Sequence, residues 1–119
     1  MKHLTIFLLI IFPSLSFSQL PDGTISPDWT ASDIYGEEWN LYEILAEGKS
    51  VILDFGATWC APCWSYHENG PLKELYNEFG PTGTDELMVF MIECDPNNTI
   101  EDIYGTGGNT LGNWWVGFG

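Results

Sequence analysis

Hydrophobic positions along the chain fall into a few runs of different period. Residues 51–55, Val-Ile-Leu-Asp-Phe, are continuous in apolar character except at Asp54, the pattern of a central strand covered on both faces. Residues 87–92, Leu-Met-Val-Phe-Met-Ile, form a second such run. Between them Leu72, Leu75, Tyr76 and Phe79 recur at helical spacing, with Lys73, Glu74 and Glu78 on the other face. The helical stretch begins at Pro62 and is interrupted by Asn69-Gly70-Pro71, where Pro71 removes a backbone donor. The pattern therefore predicts a kinked or two-piece helix ending at Gly80-Pro81. Strand, helix, strand implies a right-handed crossover and a parallel pair.

Trp29-Thr30 and Trp39-Asn40-Leu41 flank Asp33-Ile34-Tyr35-Gly36, whose Asp and Gly favour a turn. They predict a hairpin ahead of the parallel pair. Residues 41–45 predict a short helix ended by Gly48. Asn98 or Thr99 would cap another over 100–104, with Glu101 and Asp102 near its positive end, closed by Gly105-Thr106-Gly107-Gly108. Residues 110–119 hold Trp114, Trp115 and Phe118 in a Gly-rich stretch. Two parallel strands and a small hairpin cover helix faces poorly, so the chain reads either as a fragment of a longer protein, the favoured reading, or as one that completes its sheet with another molecule.

The 119 residues suit one small α/β domain, expected over 28–119 after a loose lead-in at 19–27. The first eighteen read as a secretory signal peptide: Lys2 and His3, an apolar run over 4–12, Pro13, and small residues at Ser16 and Ser18 before a cut at Gln19. The apolar run is short for a membrane span, and no cysteine sits near the cut to accept a lipid. No stable membrane insertion is expected after cleavage, and the address is periplasmic or extracellular. The whole chain has a formal charge of −14, and beyond the leader only Lys49 and Lys73 oppose 17 acids. Such a surface repels nucleic acid and anionic membranes.

Trp59-Cys60-Ala61-Pro62-Cys63 carries the chemistry. Two cysteines with two residues between them, on a turn from strand to helix, are a redox-site pattern. A helix N-terminus favours a thiolate at Cys60, and the thiolate is the species that attacks disulfides. A loop this small contributes little entropic stabilisation compared with long loops, which argues against a mere staple. Pro62 suits a first helical turn, where no donor is needed. Cys94 is left over, at the end of the second strand, as a partly buried free thiol. Cys60, Cys63 and His67 invite a metal reading, but no fourth ligand is evident. Asp95, Asn97, Thr99 and Glu101 alternate like a calcium loop, yet Ile100 stands where that loop needs Gly, so a cap and turn is the better reading.

At Trp59–Cys63 the sequence resembles the thioredoxin superfamily, and within it the exported TlpA-like redoxins. Val-Ile-Leu-Asp-Phe precedes the motif at that family's spacing, and Trp29-Thr30, Asp33, Gly36 and Leu41 resemble the branch's N-terminal extension. The resemblance implies a thioredoxin-like fold with an N-terminal hairpin, lacking its C-terminal strands and helix and the proline loop that faces the active site. It implies a thiol-disulfide oxidoreductase acting on protein thiols and disulfides, without organic cofactor or metal. Cys60 would be the nucleophile and Cys63 the resolving thiol of a redox-active disulfide. Trp59, Ala61 and Pro62 would shape the site. Asp54, a carboxylate that is costly to bury, would exchange a proton with Cys63. Pro71 lies later than the family's helix-kinking proline.

Two other readings stand beside this one. The chain could be a secreted binding or adhesion module that keeps the fold and a structural disulfide. It could be a peroxidase of the peroxiredoxin type. That branch has Thr three residues before its reactive cysteine, where this chain has Ala57, with Thr58 adjacent.

Overall fold

A computed structural model describes residues 20–115. The expected leader at 1–18 and the last residues, 116–119, lie outside the described part. Residues 20–28 are exposed and belong to neither helix nor strand. The elements then run β1 (Thr30–Ser32), β2 (Glu38–Asn40), α1 (Leu41–Ala46), β3 (Ser50–Gly56), α2 (Ala61–Asn69), α3 (Pro71–Phe79), β4 (Leu87–Glu93) and α4 (Ile100–Ile103).

β1 and β2 form the expected antiparallel hairpin, Thr30 opposite Asn40 and Ser32 opposite Glu38. Asp33 builds its turn: one carboxylate oxygen accepts the N–H groups of Tyr35 and Glu37, and the other accepts the Trp39 indole N–H. Asn40 caps α1 by accepting the N–H of Glu43 at 2.9 Å.

β3 and β4 pair in parallel in one unbroken register, from Ser50 with Leu87 to Gly56 with Glu93. Their connection is the two-piece helix. Gly70 adopts φ 76°, a left-handed conformation open to glycine, ending α2 while Pro71 starts α3. The fold is mixed α/β, with a strand–helix–strand unit at its centre.

Trp29 and Trp39 pack edge-on against Phe90, with ring centroids 5.8 and 5.5 Å away. Phe90 pairs with Leu53, three residues from Gly56, so alternation puts the two tryptophans and the Gly56 side on opposite faces of the pair. Leu41, Ile44, Ala57, Leu87, Met88, Val89 and Trp114 are buried. Residues 51–55 differ from expectation. Among the described residues β3 has β4 as its one neighbour, and Phe55 is 63% exposed. An apolar run reports a tendency to be covered and does not say how many strands do the covering.

Candidate functional site

β3 delivers the chain to the redox motif, and α2 begins within it. Cys60 is the N-cap of α2, with extended backbone, and its Sγ accepts the N–H of Cys63 at 3.4 Å. Ala61 opens the helix and Pro62 sits in its first turn, where its missing donor leaves no gap. Cys60 and Cys63 are joined in a disulfide, with Cα atoms 5.2 Å apart. On reduction the same geometry would set the Cys63 N–H and the positive end of α2 against a Cys60 thiolate.

The first turn of α2 packs over β3 at Gly56, at a distance that would leave a side chain there in ordinary van der Waals contact. A Cβ there would lie 3.5 Å from Cys63 Cβ and 3.7 Å from its Sγ. Asp54 lies two residues earlier on β3, so it shares the strand face that Cys63 covers, and it is half-buried. Trp59 is 51% exposed, and its indole N–H donates to Asp95 Oδ2 at 2.8 Å. The other Asp95 oxygen accepts the backbone and side-chain N–H groups of Asn97. The Asn97 backbone N–H, then the Trp59 indole, hold the Asp95 carboxyl below the usual carboxylate range.

Thr58 is the hub that ties this turn to the rest of the molecule. It is fully buried. Its N–H donates to Glu93 Oε2 at 3.0 Å, and its hydroxyl donates to the Asn109 carbonyl at 2.7 Å while accepting from Asn98 Nδ2 at 2.7 Å. Its carbonyl accepts the N–H of Leu111 and the indole N–H of buried Trp114. The strand-to-helix turn is therefore held from residues 93 to 114.

Trp64, the residue after Cys63, is half-buried and packs edge-on to Trp114 with centroids 5.0 Å apart. His67 lies against both rings, at 5.5 Å from Trp64 and 5.1 Å from Trp114. Among the described residues no three His, Cys, Asp or Glu side chains converge to hold a metal ion. Cys94, expected to be partly buried, is exposed: it follows the last residue of β4, and its Sγ donates to the Ile92 carbonyl at 3.5 Å.

The chain is 30% identical over 95 residues to the thiol-disulfide oxidoreductase ResA of Geobacillus thermodenitrificans, which covers 71% of this chain and 52% of that protein. It is 41% identical over 73 residues to the thioredoxin-like protein YneN of Bacillus subtilis, covering 61% of this chain and 38% of the relative. The chain belongs to the thioredoxin-like family. It spans about half the length of the ResA protein it matches. No family model matches it, and no solved structure does.

Trp59, Cys60, Ala61, Pro62 and Cys63 thus lie between one strand end and one helix start, with Asp54 two residues inside the strand. Sequence reasoning missed the supporting residues, Thr58, Glu93, Asn98, Asn109 and Trp114. Thr58 carried one signal, a small polar residue between Ala57 and Trp59 in an otherwise apolar approach to the motif. Among the described residues no helix is long and apolar enough to cross a membrane.

Proposed function

We propose that this chain carries the redox centre of a thiol-disulfide oxidoreductase that exchanges disulfides of protein substrates outside the cytoplasm. The observation that carries the proposal is the Cys60–Cys63 disulfide at the start of α2, with Cys60 Sγ accepting the cap hydrogen bond. The names of the relatives support the reaction class. The leader pattern of residues 1–18 supports the location.

In the reducing direction, the Cys60 thiolate attacks one sulfur of a substrate disulfide. A mixed disulfide forms, and the other substrate sulfur leaves as thiolate. The Cys63 thiolate then attacks Cys60 Sγ, closes the Cys60–Cys63 disulfide and releases the second substrate thiolate. Two electrons pass to the substrate, and an external dithiol restores the centre. The oxidising direction is the same path reversed. Asp54 takes the proton from Cys63 as it becomes a nucleophile, a role supported by its place on the strand face beneath Cys63. Trp59 and the backbone of Ala61 and Pro62 form the surface beside the reacting sulfur.

Insulin reduction by dithiothreitol tests this. The chain should accelerate it, and Cys60→Ser should remove the acceleration. Equal rates for the two proteins would reject the enzyme reading and favour a structural disulfide.

A further inference from the structure

Glu93 ends β4, and its carboxylate accepts backbone N–H groups from two different loops. Oε2 takes the N–H of Thr58 at 3.0 Å, and Oε1 takes the N–H of Asp95 at 2.8 Å. Thr58 immediately precedes Trp59, and Asp95 holds the Trp59 indole N–H. Both ends of the Trp59–Asp95 bond therefore hang from one carboxylate: the backbone that carries the ring, and the backbone that carries its acceptor. The strand ladder supports this arrangement. Gly56 pairs with Glu93, and the Gly56 carbonyl also accepts the N–H of Cys94, so the pairing reaches the level of the turn.

We propose that Glu93 is a positioning residue that fixes the Trp59 indole beside Cys60 as a docking surface for a protein disulfide. The docking part rests on the disulfide-exchange reading above; the positioning part does not. The chemistry selects a carboxylate. Two acceptor oxygens can serve two converging N–H groups, whereas an amide turns a donor toward one of them. Bonds to a charged acceptor are also shorter and stronger than neutral ones. Thr58, Trp59, Glu93 and Asp95 thereby close a hydrogen-bonded ring that includes the residue preceding Cys60.

Hydrogen exchange of the Trp59 indole N–H tests the positioning, its signal identified by its loss in Trp59→Phe. Glu93→Gln should raise that exchange about tenfold or more, the effect of losing one charge-assisted bond of about 1.5 kcal/mol. Glu93→Ala should raise it further. Unchanged exchange in a folded Glu93→Gln protein overturns the proposal. If both variants fail to fold, the native protein decides. The N–H groups of Thr58 and Asp95 should both be protected, and exchange of either at the rate of free peptide overturns it.

With dithiothreitol as reductant, Glu93→Gln should lose more kcat/KM on insulin than on oxidised glutathione, chiefly through KM. Equal losses on the two substrates overturn the link to docking. Failure of the unaltered protein to reduce either substrate would sink the oxidoreductase reading, while the exchange measurement would still report on Glu93.

Discussion

Thr58→Val removes a hydroxyl while keeping the shape of a fully buried side chain. In the folded protein that hydroxyl donates to the Asn109 carbonyl and accepts from Asn98 Nδ2, both at 2.7 Å. A neutral hydrogen bond contributes about 0.5–1.5 kcal/mol net, and a buried group deprived of its partner costs about 1–3 kcal/mol. Asn98 and Asn109 keep their own side-chain bond to each other, and Asn109 is exposed, so water can replace part of what is lost. The expected cost is about 2–3 kcal/mol. Thr58→Ser keeps the hydroxyl and loses one methyl, at about 1 kcal/mol. If packing alone governed this position, the order would reverse, because Val fills the space and Ser does not. Urea unfolding followed by circular dichroism separates the two cases. With a slope of about 1–3 kcal/mol per molar urea, the Val midpoint should fall by about 1 M or more, and the Ser midpoint by less. A Val variant as stable as the Ser variant would refute the assignment of Thr58 as a hydrogen-bond hub.

Asp54→Asn should slow the resolving attack by Cys63 more than the first attack by Cys60. Single-turnover kinetics that resolve both steps check this, and equal effects on the two would remove Asp54 from the proton path. Gly112→Ala drives a methyl into the Trp64 ring and should cost about 1–3 kcal/mol, read as a lowered urea midpoint. Buried Asp102 accepts the N–H groups of Thr99 and Asn109, and these bonds, Thr99 first, hold its carboxyl below the usual range. A folded-state value below the unfolded one means its stabilisation is full above about pH 4–5 and fades as pH falls through the lowered value. Asp102→Asn should therefore lie below the unaltered protein in stability at pH 7, with the gap narrowing in acid. A gap that stays constant from pH 7 to pH 2 would contradict this origin.

The elements were legible because their punctuation is local. Gly70 and Pro71 break the helix through their own backbone restrictions, Asp33 makes its turn within four residues, and Asn40 caps within three. The redox motif was legible for the same reason, since Cys60 and Cys63 lie within one helical turn. The support beneath it was not. Thr58 meets Glu93 across 35 residues, Asn98 across 40, Asn109 across 51 and Trp114 across 56. A buried Thr carries no periodic signature, and a Glu at a strand end reads as solvated until its two backbone partners are seen. Thr58 also bears on the peroxidase reading: its hydroxyl is bonded on both sides and fully buried, so it is not presented to a substrate at Cys60.

The long reach of Thr58 has a consequence for the order in which the site is made. Synthesis runs from the N-terminus, so both cysteines emerge while Asn109, Leu111 and Trp114 are still to be added. The Cys60–Cys63 bridge spans three positions in sequence and can close as soon as it meets an oxidant. The grip on the turn has to wait for about fifty more residues and for the closure of a correspondingly long loop. A nascent chain would therefore own a competent thiol pair before it owned a shaped site. In that interval the thiol pair would be held by its own helix turn alone, and the anchorage of Thr58 would arrive only with residues 98–114.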